Sequence, residues 1–192
     1  MRELKKYKFS KVFDLQNSSR TNFYKNILFP KVEKEIWSSS ITTLPEDKNK
    51  EEFDKISVLE RFDHQLRRSN LNTQNTLKPN FKWASTNISE IRSSYKLDKY
   101  ILLFPFCSPH LTIKKWPHYN KLIKLILNKY DEKYKIVTAP GPSEITDAKD
   151  LDAIALLDNG KPLDISQLTS LIEDSSFIIA NDTGPAHIAA HV

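Results

Sequence analysis

Apolar positions follow two regimes along this chain, and the second is the more regular. From about residue 98, short continuous apolar runs alternate with amphipathic ones. YILLFPF (100–106) reads as a buried strand, and Tyr119, Leu122, Ile123, Ile126 and Tyr130 then recur at spacings of three and four, the period of a helix with one packed face. KIVT (135–138) reads as a second strand, a short helix is expected from about Ser143, and AIALL (153–157) is a third strand. Asp164 stands as the cap of a further helix, with Gln167 at the capping-box position and Ile165, Leu168, Leu171 and Ile172 facing inward. SFIIA (176–180) is a fourth strand. Strands that are apolar throughout and separated by helices predict a parallel sheet covered on both faces.

The first half is less periodic. KVFDL (11–15) predicts a strand, residues 18–28 a helix and EIWSS (35–39) a second strand, while Phe53, Ile56, Leu59, Phe62 and Leu66 mark one face of a longer helix. RRSNLNTQNTLKPN (67–80) is polar, poor in apolar anchors and closed by Pro79, so it reads as a loop or linker. Ile88, Ile91 and Tyr95, behind Asn87 and Glu90 as cap and capping-box partner, predict a connecting helix. The boundary is expected near residue 96, giving units of 1–95 and 96–192. No internal repeat or low-complexity tract interrupts either.

Length and composition narrow the class. At 192 residues, 39% hydrophobic and 28% charged, the chain has the make-up of a globular protein with one ordinary domain or two small ones. No apolar run approaches the roughly 18–20 residues of a membrane-spanning helix. The opening MRELKKYKFS lacks a signal peptide's apolar segment, so the chain is expected to stay in the compartment where it is made. Cys107 is the sole cysteine and has no internal disulfide partner. The net charge of +5 raises the question of nucleic acid, but its distribution argues against that partner. Residues 1–95 hold 18 Lys and Arg against 12 Asp and Glu, residues 96–192 hold 11 against 12, and carboxylates dilute the basic excess in segments such as EDKNKEEFDK (46–55).

The strongest chemical signal is IIANDTGPAHIAA (178–190). A buried strand runs through Asn181, Asp182 and Thr183 into Gly184 and Pro185, and a proline at a helix start is pre-set for helical backbone. Asp182, Thr183 and Gly184 therefore fall at once on the carboxyl end of a parallel strand and on a helix amino terminus, where open α/β sheets bind ligands and free amides favour an anion. Gly184 permits close approach of the backbone, and His187 on the first turn can point back at the same anion. The plain alternative is an ordinary capped helix with a surface histidine.

Two further loops bear on that choice. FPFCSPHLTIKKWPHYNKL (104–122) follows the first strand of the regular half and places Lys114, Lys115 and Trp116 ahead of a helix entered at Pro117. Two cations beside a helix amino terminus oppose its dipole unless an anion is present. The plain reading packs Trp116 under the helix and leaves the lysines in solvent, and Lys115 is read that way. TAPGPSEITDA (138–148) offers Ser143 and Glu144, the latter as a helix cap or as an acceptor for ribose hydroxyls.

The ordered set of a strand, KKWP, a helix, a strand, GPSE, DISQLTSLI, a strand and NDTGPAHIAA resembles the carboxyl-terminal domain of the family 9 glycosyltransferases, the ADP-heptose:lipopolysaccharide heptosyltransferases. KVFDLQNSSRTNF (11–23) resembles, more weakly, the later part of the same family's amino-terminal domain. The resemblance implies an α/β, GT-B-like architecture: a Rossmann-like parallel-sheet domain in the carboxyl-terminal half plus a partial amino-terminal α/β domain. It implies transfer of a sugar, heptose by the family's habit, from an ADP-sugar to a lipopolysaccharide inner-core acceptor with inversion. Carried over by motif, Lys114 contacts donor phosphate, Asp182, Thr183, Gly184 and His187 hold the diphosphate, and Glu144 with Ser143 meets the nucleoside. Arg20 is the acceptor-side candidate, against the plainer account of a helix-surface arginine. The resemblance implies no cofactor and no metal, an anionic glycolipid partner, and a cytoplasmic place at the inner face of the inner membrane with peripheral association.

The chain departs from the family at both ends. The opening strand and the loop that carries the family's base aspartate have no counterpart before KVFDLQ, so the chain reads as an interior piece and its catalytic base is unassigned. Asp14 is read as the end of a strand rather than as that base. Two other functional classes stay open: a nucleotide-binding Rossmann-like module without catalysis, and a basic protein of nucleic-acid or membrane surfaces.

Overall fold

The computed structural model describes residues 6–7, 9–16, 18–28, 36–131 and 133–192. The chain divides into two compact units, Met1–Pro79 and Asn80–Val192. The division falls at the proline that closes the polar loop rather than near residue 96. Residues 80–95 go with the second unit because Ile88 and Ile91 are buried in its core.

The first unit holds β1 (Val12–Phe13), α1 (Ser19–Leu28), β2 (Trp37–Ser38), α2 (Lys50–Lys55) and α3 (Val58–Arg68). β1 and β2 are parallel, with Val12 beside Trp37 and Phe13 beside Ser38; Glu35, in the predicted second strand, lies outside the described residues. Gln65, only 1% exposed, fastens the carboxyl ends of the pair, its amide nitrogen donating to the carbonyls of Asp14 and Ser38 at 3.1 and 3.0 Å. The single helix predicted across Phe53–Leu66 is two helices. Ile56 is extended at ψ 162°, and Ser57 opens α3 with its own capping box to Glu60. A strong start signal inside an apolar period has overridden the period.

The second unit contains α4 (Ser89–Ser94), β3 (Tyr100–Phe104), α5 (Tyr119–Tyr130), β4 (Lys135–Thr138), β5 (Ile154–Ala155), α6 (Ile165–Glu173), β6 (Phe177–Ala180) and α7 (Gly184–Ala189), with 3₁₀ turns at Lys82–Ala84, Pro109–Lys114 and Asp147–Asp150. Its four strands form one all-parallel sheet in the order β5-β4-β3-β6. All five residues of central β3 are buried. Tyr100, Leu102 and Phe104 enter one cluster with Ile88, Ile91, Leu171 and Ile172, and Ile101 and Leu103 enter another with Tyr119 and Ile123. The alternation shows a strand covered on both faces. Tyr100 donates its hydroxyl to the Leu171 carbonyl at 2.6 Å, and burial raises its pKa above the ordinary tyrosine value.

Three local expectations are corrected. No α-helix follows Ser143: Pro142 and a tight Gly141–Glu144 turn give way to the 3₁₀ turn at Asp147–Asp150. Helix α5 begins at Tyr119, two residues after Pro117. The capping box of Asp164 and Gln167 forms as predicted, yet Ile165 is 71% exposed because it opens the helix beyond the packed face that Leu171 and Ile172 occupy.

Candidate functional site

Numbered within the second unit, the sheet runs 3-2-1-4, so the order reverses between β3 and β6. In open parallel sheets the crevice outside the carboxyl ends at such a switch point is the ligand site. The chain leaves β3 through Pro105 and Phe106 and leaves β6 through Asn181, Asp182 and Thr183. Asn181 ties these two exits together. It is 8% exposed; its backbone amide donates to the Phe104 carbonyl at 3.0 Å, its side-chain amide donates to the Pro105 carbonyl at 2.6 Å, and its carbonyl oxygen accepts from the Tyr119 hydroxyl at 3.2 Å. The sequence pattern did not single it out, although an amide ending an apolar strand is the available signal.

Between the exits lies a cavity of about 330 Å³. Phe104, Phe106, Leu163 and Leu168 give it apolar walls, Glu144 and Cys107 stand at polar positions, and Thr183 and Gly184 form part of its rim. Glu144 is half-buried and its Oε2 accepts the Gly141 amide at 2.8 Å, so the carboxylate is fixed by its own turn. A Cβ at Gly141 would stand 3.3 Å from that oxygen, so the Glu144 carboxylate would have to give by a few tenths of an ångström. Ser143, the other nucleoside candidate, is exposed and does not line this cavity.

The two corners singled out in the sequence meet. Lys114 Nζ contacts Asp182 Oδ2 across 68 residues of chain, and His187 Nε2 lies 3.7 Å from Asp182 Oδ1. Hydrogen bonding and charge from Lys114, with a smaller contribution from His187, hold the Asp182 carboxyl below its ordinary pKa. A carboxylate cannot donate to an anion, so the direct capability of Asp182 is to orient Lys114 and His187. Helix α7 is six residues long, Thr183 is its cap without a side-chain capping bond, and the Thr183 hydroxyl donates to the Asn181 carbonyl at 3.3 Å. Beyond its own chain neighbours and helix backbone, a Cβ at Gly184 would meet no atom of the described residues within 4 Å, leaving open space beside the backbone.

Lys115 is exposed, as read, and also has an acidic partner. Its ammonium lies 3.7 Å from Asp147 Oδ2 and 5.8 Å from the centre of the Phe106 ring. The loop after β3 is therefore held on one side by Lys114 at the β6 exit and on the other by Lys115 at the segment following β4. Trp116 is 45% exposed rather than packed under α5, and makes edge contacts with His118 and Tyr119. Arg20 lies exposed on α1 of the first unit. Among the described residues, no three His, Cys, Asp or Glu side chains are grouped as a metal site.

The parallel sheet, its reversed order and the cavity at the reversal define a Rossmann-type α/β protein with a crevice at the strand ends. Over residues 1–192 the chain matches glycosyltransferase family 9 (heptosyltransferase), and it belongs to that family. It is a glycosyltransferase of GT-B-like, Rossmann-type build, and the family takes a nucleotide-sugar as donor and a glycan as acceptor. Comparison with curated proteins and with solved structures returns no match.

Proposed function

We propose that this chain binds an ADP-sugar in the cavity between the β3 and β6 exits and serves transfer of its sugar, heptose, with inversion, to a lipopolysaccharide inner-core acceptor. The observation that carries the reading is the contact of Lys114 with Asp182, which sets an ammonium beside Thr183 and Gly184 at the rim of an apolar cavity. The nucleoside would lie against Phe104, Leu163 and Leu168, with Glu144 accepting from ribose hydroxyls. The diphosphate would extend toward Lys114, the Thr183 hydroxyl, the open backbone at Gly184, and His187. Breaking the bond from the anomeric carbon to phosphate develops positive charge on the sugar and negative charge on the departing diphosphate. Donors already in place at that departing group lower the barrier without reorganising. In this reading Asp182 holds Lys114 in position until phosphate replaces it as the partner.

The acceptor is an anionic glycolipid, and the work is done at the cytoplasmic face of the inner membrane by peripheral association. Among the described residues no helix is long and apolar enough to cross a membrane. Calorimetric titration of the chain with ADP and with an ADP-sugar tests the donor site. Lys114→Ala is expected to weaken ADP about ten- to a hundredfold, the range of one charged hydrogen bond. Absence of ADP binding by the unaltered chain, or equal binding by the variant, overturns the assignment. Sugar transfer to an isolated inner-core acceptor tests the rest.

A further inference from the structure

A second concavity, of about 260 Å³ and within the same unit, shares Phe106 with the first as a lining residue. One wall is aromatic: Phe106, and Trp116 standing half-exposed. The other is polar, with Lys115, Asn120, Asp147 and Asp150. Its parts are fixed by bonds across the fold. Asn120 donates to the Asp150 carbonyl at 2.8 Å and accepts from the Asp152 amide at 3.0 Å, and Lys115 pairs with Asp147. Trp116 is held edge-on by His118 and Tyr119, at ring-centre distances of 5.6 and 5.3 Å. The Asp150 carboxylate, exposed at the mouth, makes no hydrogen bond or ion pair to the described residues.

We propose that this concavity between Trp116 and Asp150 binds a sugar ring. A pyranose has a C–H face that suits an aromatic side chain, and a circumference of hydroxyls that donate to carboxylates and accept from an ammonium. The volume holds a single ring. A phosphate would face the Asp147 and Asp150 carboxylates directly. The proposal rests on the donor-site reading only for the source of the ring, which is either the donor's sugar or the acceptor glycan. The site itself stands on its own lining.

The test is saturation-transfer NMR and tryptophan fluorescence with methyl α-mannoside and methyl β-glucoside as probes and glycerol as the control polyol. Ligands of about a dozen heavy atoms reach millimolar dissociation constants, and saturable binding in that range is expected. Trp116→Phe should remove the fluorescence change while Trp37 and Trp83 still report the folded chain. Asp150→Asn should weaken the glycosides at least about threefold, as loss of one hydrogen bond's charge does. Competition separates the sources: displacement of glycoside by an ADP-sugar but not by ADP assigns the ring to the donor, and simultaneous binding assigns it to the acceptor. Glycoside signals no stronger than glycerol's, or unchanged in both variants, overturn the proposal whether or not ADP binds.

Discussion

Replacing Asn181 with alanine tests whether the two strand exits are held together by one buried side chain. The change removes the donor to the Pro105 carbonyl at 2.6 Å and the acceptor of the Tyr119 hydroxyl at 3.2 Å, at a position 8% exposed. Tyr119 is itself 4% exposed. Each of the two buried polar groups left unpaired costs about 1–3 kcal/mol, so the expected loss is about 2–6 kcal/mol, with a small addition for the cavity. Native-state hydrogen exchange of the β3 amides measures this in the second unit alone, without assuming that the two units unfold together. Those amides should exchange at least about thirtyfold faster, the equivalent of 2 kcal/mol. Tyr119→Phe removes a single partner and should cost about 0.5–1.5 kcal/mol, and the double variant should cost less than the two singles combined because they share a bond. A change under about 0.5 kcal/mol in Asn181→Ala would show that water replaces the bonds at no cost, and the reasoning fails.

Three further outcomes are expected. Asp182 has a depressed folded-state pKa, so the favourable contact with Lys114 is present above the ordinary carboxylate range and is lost only as pH falls through the depressed value. A carbon-13 titration of that carboxyl should find its midpoint below the usual value and moving upward in Lys114→Ala; coincident midpoints would refute the contact. Thr138 is fully buried and its hydroxyl has no partner among the described residues, so Thr138→Val should raise stability by about 1 kcal/mol in urea denaturation, where a loss would reveal a hidden partner. The pair of Lys115 and Asp147 is half-exposed, and neutralising either should change stability by less than about 1 kcal/mol. If the pair steadies Phe106, ADP affinity falls less than about fivefold in Lys115→Met or Asp147→Asn, and the exchanged pair Lys115→Asp with Asp147→Lys restores it.

What the sequence made legible was whatever is decided within a few residues. The four strands of the second unit, the Asp164–Gln167 capping box and the entry of α7 at Gly184–Pro185 each rest on a local period or cap, and each is present. The α2–α3 break shows the same rule from the other side. Ser57 and Glu60 were readable as a start signal, but the longer apolar period through Phe53 and Leu66 obscured them. The domain boundary was misplaced because burial of Ile88 and Ile91 depends on strands that lie later in the chain.

The site divides along that line as well. That Lys114 and the DTG segment face one anion was a reading of two corners taken separately; their meeting depends on β3 and β6 being neighbours, which strand periodicity does not specify. Once those strands pair, the rest follows from chain geometry. Of the two adjacent lysines, Lys114 reaches Asp182 and Lys115 reaches Asp147. Phe106 is left between them as the wall shared by both cavities. A loop held at both sides by weak, solvent-exposed ion pairs can exchange one of them for a ligand phosphate at little cost, whereas the buried Asn181 bonds cannot be exchanged so cheaply. Adaptable contacts therefore lie where a substrate would arrive, and the fixed ones lie beneath them.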